Sequence, residues 1–79
     1  MAERFTKVQG QYLAFAVAYT KLHRPSPAEA DFQHYFRVTP PSVHNLIMNL
    51  ERHGLIRRIA RQARSIEVLA PTNDVPPLE

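Results

Sequence analysis

Between positions 37 and 64 the chain carries six arginines, at 37, 52, 57, 58, 61 and 64, against the single acid Glu51. This block, net +5 in a chain of net +3, concentrates positive potential on one part of the surface, where it would attract a polyanion. The plain alternative is a solvated arginine-rich face. Inside the block, Pro41, Asn45, Met48 and Arg52 recur at the spacing of one helical face, with Ser42, His44 and Asn49 on its flanks. Small hydroxyl and amide side chains suit hydrogen bonding to base edges. An amide can bond adenine through two contacts, and a methionine can touch a thymine methyl. Arg52, near the far end of the run, is better suited to a phosphate. Arg61 and Arg64, in a basic stretch further on, have the same chemistry.

Other chemistries find little support. His23, His34, His44 and His53 form no i, i+4 pair, so a metal site is not expected, and no cofactor is implied. There is no glycine-rich phosphate loop, no cysteine nucleophile and no usefully spaced carboxylate pair, so the chain does not read as an enzyme. A domain of 79 residues buries only about 60% of the surface that its unfolded chain exposes, too little for a large catalytic cleft. With no cysteine it has no disulfide, which suits a reducing cytoplasm. The apolar run Tyr12–Tyr19 falls well short of the roughly 20 residues needed to span a bilayer. The opening Met-Ala-Glu-Arg-Phe-Thr-Lys lacks the apolar core of a signal peptide.

The elements that must position these residues follow from local patterns. Thr6 reads as an N-cap for a first helix over 7–22, with Val8, Tyr12, Phe15, Ala16 and Tyr19 on one face. Leu13, Val17 and Leu22 widen that stripe, and Pro25 ends the helix by Arg24. Ser26, Pro27 and Glu29 predict a capping box opening a second helix over 27–36, with Ala28, Phe32, Tyr35 and Phe36 inward. Thr39, followed by Pro40 and Pro41, predicts the start of a third helix over 40–53. Val43, Leu46, Ile47 and Leu50 face its core side, and Gly54 terminates it. Leu55–Ile59 and Ser65–Leu69 then read as two strands of a hairpin with a long basic tip, whose turn geometry no Asn-Gly or Asp-Gly specifies. Arg57 and Arg58 point to opposite faces of the first strand, and the pattern does not say which would meet a nucleic acid. Residues 71–79, with three prolines and little to bury, predict a disordered tail behind a domain over 1–70.

Three helices followed by a hairpin, mainly α with a small β component, is the order of a winged helix-turn-helix, in which helix 3 enters the major groove. The run Thr39-Pro-Pro-Ser-Val-His-Asn-Leu-Ile, then Leu-Glu-Arg-His-Gly-Leu-Ile-Arg-Arg, then Arg-Ser-Ile-Glu-Val-Leu, resembles the DNA-binding domain of LexA-type repressors. A looser likeness extends to MarR-type regulators. The resemblance covers about residues 5–69 and is clearest over 39–69. It implies base-reading roles for Thr39, Pro41, Ser42, His44 and Asn45. Two features depart from the family. Tyr35-Phe36-Arg37-Val38 stands where a glycine usually separates helices 2 and 3, and the self-cleaving Ser/Lys domain has no counterpart here, so autoproteolysis is not expected.

The sequence therefore predicts a cytoplasmic, sequence-specific double-stranded DNA-binding regulator. Its expected contact residues are Thr39, Pro41, Ser42, His44, Asn45, Met48, Arg52, Arg61 and Arg64. A homodimer on a palindromic site is compatible with that reading. The alternative is a winged-helix module that binds a protein partner instead of DNA, for which an exposed Met48 and an acidic tail would serve. Salt separates the two, because only binding to a polyanion weakens steeply as salt rises.

Overall fold

The computed structural model describes residues 5–79, so residues 1–4 of the N-terminal run read above for a leader lie outside it. The chain forms α1 (Lys7–His23), α2 (Glu29–Phe36), α3 (Pro40–Arg52), β1 (Ile56–Arg57), β2 (Glu67–Val68) and a single 3₁₀ turn at Thr72–Asp74. β1 and β2 pair antiparallel, Ile56 opposite Val68 and Arg57 opposite Glu67. This is the three-helix-plus-hairpin layout of a winged helix-turn-helix. No helix among the described residues is long and apolar enough to cross a membrane.

The cap expected at Thr6 is present. Its hydroxyl accepts the Gln9 amide at 3.1 Å, and the Gln9 side chain returns to the Thr6 amide at 2.8 Å. α1 closes at Arg24, whose φ of 75° turns the chain just before Pro25. The buried side of α1 is narrower than the apolar pattern implies. Tyr12, Leu13, Phe15 and Ala16 are buried, whereas Val8 and Leu22 face solvent. Simple spacing cannot say which of several overlapping stripes finds a partner.

α2 starts later than predicted. Its N-cap is Ala28, and the carboxylate that bonds the Ala28 amide belongs to Asp31, at 2.8 Å. The predicted box from Ser26 to Glu29 does not form, because the Ser26 hydroxyl instead accepts the Ile66 amide at 3.0 Å. The missing glycine at the end of α2 is replaced by a left-handed arginine, Arg37, at φ 56° and ψ 51°. α3 begins and ends as the sequence predicts, with Thr39 at the N-cap, prolines in the first turn and Gly54 at φ 73° just beyond its end.

The core joins Tyr12, Leu13, Phe15 and Ala16 of α1 to Phe32 of α2, Val43, Ile47 and Leu50 of α3, and Leu55, Ile56 and Ala70 around the hairpin. Aromatic rings bind the first two helices: Tyr12 stacks on Phe36 at 4.5 Å, and Phe15 meets Phe32 edge-on at 5.0 Å. Leu46 is only partly buried. The strands are two residues each, shorter than the five expected. Beyond them the segment is held by other means, including the Leu69 amide on the Leu55 carbonyl at 2.8 Å.

The tail is the largest departure from expectation. Val75 and Leu78 pack against the core, and the Gln11 carboxamide bonds Pro77 and Glu79. Composition alone predicts disorder for 71–79; the seat that α1 and α2 provide holds the segment instead.

Candidate nucleic-acid interface

The start of α3 is a small polar knot. Thr39 Oγ1 accepts the Ser42 amide at 3.4 Å and donates to Ser42 Oγ at 2.9 Å, while Pro40 and Pro41 fill the first turn. Each hydroxyl therefore already has a partner, although both residues remain exposed. Past this knot, Pro41, Asn45, Met48 and Arg52 are exposed at i, i+4, i+7 and i+11, one helical face. The Asn45 side chain has no hydrogen-bond partner among the described residues, so its carboxamide is available to a ligand. Asn49, on the flank, is committed: its side-chain oxygen accepts from Gln9 Nε2, which ties α3 to the first turn of α1.

Charge on this face is arranged by Arg58. Its guanidinium donates to Glu51 at 3.2 Å, reaches Glu29 at 3.5 Å and touches the sulfur of Met48 at 2.8 Å. Glu51 is the one carboxylate of α3, so Arg58 offsets the negative charge beside the exposed face. Glu29 also holds His44, with Oε2 at 3.2 Å from Nδ1, which draws the imidazole toward α2. The choice between Arg57 and Arg58 resolves into two pairings: Arg58 inward on Glu51 and Glu29, Arg57 across the hairpin on Glu67.

The wing is better fixed than its sequence indicates. Ser65 Oγ accepts the Ile59 amide at 2.9 Å and lies 2.8 Å from the Gln62 carbonyl, closing the 59–65 loop without an Asn-Gly turn. Arg61 and Arg64 both adopt positive φ, 64° and 58°. They differ in use. Arg61 is exposed and makes no ion pair among the described residues. Arg64 folds back from the tip, donating to the Tyr19 hydroxyl at 2.9 Å and pairing with Asp31 at 3.2 Å. Its guanidinium carbon lies 5.8 Å from the Tyr19 ring centroid. The hydrogen bond to Tyr19, and then the charges of Tyr19 and Asp31, hold Arg64 more firmly protonated than a free arginine. Arg64, which the sequence assigns to a phosphate, remains exposed and also clips the wing to α1 and α2.

Arg37, part of the basic block but not among the expected contact residues, joins this surface. It is exposed at the turn before α3 and has no acidic partner among the described residues. The signal was a helix end without glycine, which forces a side-chain-bearing residue into the left-handed conformation. Arg37, Arg52 and Arg61 thus stand before α3, at its end and on the wing, each with its charge uncompensated among the described residues. No protein-family model and no curated protein matches this chain. The geometry and charge of this face carry the functional reading.

Proposed function

We propose that this protein is a sequence-specific double-stranded DNA-binding regulator of transcription, acting in the cytoplasm, with α3 in the major groove. The observation that supports it is the outer face of α3, where Pro41, Asn45, Met48 and Arg52 are exposed and the one carboxylate of the helix is offset by Arg58. A major groove about 12 Å wide admits such a helix. Asn45 supplies a donor and an acceptor for a base edge, and Met48 an apolar surface for a thymine methyl. Arg37, Arg52 and Arg61 supply charge for phosphates around it, and each such contact adds to the salt dependence of binding. The resemblance to LexA-type repressors favours the same docking of helix 3, while the dimer contact that the family's self-cleaving domain supplies has no counterpart here. The protein acts by binding and not by catalysis.

The experiment is a selection on randomised duplex DNA, followed by fluorescence anisotropy on the selected and a scrambled duplex at several salt concentrations. Affinity that falls steeply with salt, with the selected duplex preferred, supports the reading. A protein that binds neither duplex at low salt is a partner-protein module instead.

A further inference from the structure

The C-terminal segment lies in a groove formed by α1 and α2, and the contacts have the character of peptide recognition. The carboxamide of Gln11 uses both its groups on the segment's backbone. Nε2 donates to the Pro77 carbonyl at 3.0 Å, and Oε1 accepts the Glu79 amide at 2.8 Å. These are the two backbone groups that bracket Leu78, and Leu78 packs on the core between them. The Tyr35 hydroxyl donates to the Glu79 carbonyl at 2.8 Å, and Lys7 lies 3.8 Å from the Glu79 carboxylate.

Gly10 supplies an independent observation. Glycine inside a helix costs about 1 kcal/mol relative to alanine. Here a Cβ would lie 3.0 Å from Pro76 Cγ and 3.1 Å from the Phe5 ring. The glycine lets the proline approach the helix backbone, so α1 is shaped to receive this segment.

The connection leading to the seat is lightly held. Residues 71–74 are exposed and make no hydrogen bond to the rest of the described protein, whereas Val75 and Pro76 are already held by packing. The only regular feature of this connection is the turn at Thr72–Asp74, closed on itself by the Asp74 and Val75 amides. The seat also extends past its occupant. A hollow of about 460 Å³, lined by Lys7, Val8, Gln11, Tyr35 and Phe36, remains beside Glu79. We infer that this groove is a docking seat for an extended Pro-Pro-Leu-Glu segment, filled in one molecule by its own Pro76–Glu79 and open to the same segment of a second copy of this chain. Two prolines restrict the segment before it binds, which lowers the entropy lost on docking. In one molecule the tether presents the segment at an effective concentration in the millimolar range. Exchange between copies therefore competes when copies are concentrated or held side by side.

The test uses the full chain carrying Leu78→Asp, which ejects the resident segment, and a fluorescein-labelled peptide of residues 71–79. Leu78→Asp should bind the peptide about tenfold more tightly than the wild type, whose own segment competes. Adding Gly10→Ala or Gln11→Ala should abolish that binding, and circular dichroism confirms that each variant remains helical. In the wild type, the Glu79 amide should exchange with deuterium faster than the Leu13 amide, because the strap opens without global unfolding. Sedimentation at millimolar concentration should show a dimer that Leu78→Asp removes. Three results would overturn the inference: a folded Leu78→Asp chain that ignores the peptide or binds a scrambled one equally, a Glu79 amide that opens only with the core, or a wild type monomeric at millimolar concentration. If Leu78→Asp does not fold, the two wild-type measurements decide.

Discussion

Ser26 and Ile66, forty residues apart in sequence, are joined by a hydrogen bond: the Ser26 hydroxyl accepts the Ile66 amide at 3.0 Å. Ser26 is buried, so the approach to α2 is fastened to the returning arm of the wing at a site with little access to water. Ser26→Ala leaves the Ile66 N–H without its partner and should cost about 1–3 kcal/mol in urea denaturation. Ser26 and Glu29 share no partner. Their alanine substitutions should therefore add to within about 0.5 kcal/mol. Strong coupling in that double-mutant cycle would restore the capping box that the sequence suggests.

Arg64 and Arg61 should separate stability from attraction. Arg64→Ala removes the contacts to Tyr19 and Asp31 and should lower the melting temperature. Because Asp31 and Arg64 pair with each other, Asp31→Ala and Arg64→Ala should be non-additive, with Asp31→Ala costing more since it also removes the acceptor of the Ala28 amide. Arg61→Ala should leave melting unchanged, weaken binding to all duplexes alike and reduce the salt slope by about one unit. Equal effects of the two arginines on melting would contradict the clip.

Asn45 and Asn49 provide a second pair with opposite outcomes. Asn45→Ala should cost about 1–3 kcal/mol on the preferred duplex and relax selectivity at one base position, with random duplex little affected. Asn49→Ala breaks the link to Gln9 and should appear mainly in stability. Anisotropy on both duplexes, together with thermal melts, distinguishes them.

Leu50 is buried at the centre of the core, whereas Leu46 lies at its margin. Leu50→Ala should cost about 2–5 kcal/mol. Leu46→Ala should cost less, since water already reaches part of that side chain. Denaturant midpoints test the order, and a larger loss at Leu46 would mean that the register of α3 is wrong.

Tyr12 gives a pH dependence. Burial raises its pKa above the ordinary phenol value of 10.0, so folding favours the neutral hydroxyl. With the folded pKa above the unfolded one, this contribution is present in full below about pH 10 and is lost as pH rises through the folded value. The urea midpoint of the wild type should fall relative to Tyr12→Phe as pH rises above about 10. Parallel curves would remove Tyr12 as the cause.

What the sequence determined by itself is local. Thr6 with Gln9, Thr39 with its two prolines and Gly54 fix helix ends through bonds and torsions spanning a few residues, and these stand where the pattern puts them. The exposed face Pro41–Asn45–Met48–Arg52 is legible for the same reason, since the helical period sets which residues share a side. The tertiary structure decided what lies across the chain. Ser26 gave up a cap for an amide forty residues away, Arg64 found Tyr19 forty-five residues back, and Gln11 captured the segment ending sixty-eight residues later. A hydroxyl, a guanidinium or a carboxamide can satisfy its bonds in many ways. Sequence spacing states the need, but only packing brings the partner within 3 Å. For the same reason the tail's composition predicted disorder while Gly10, a helix glycine unexplained by local rules, already marked where that tail would lie.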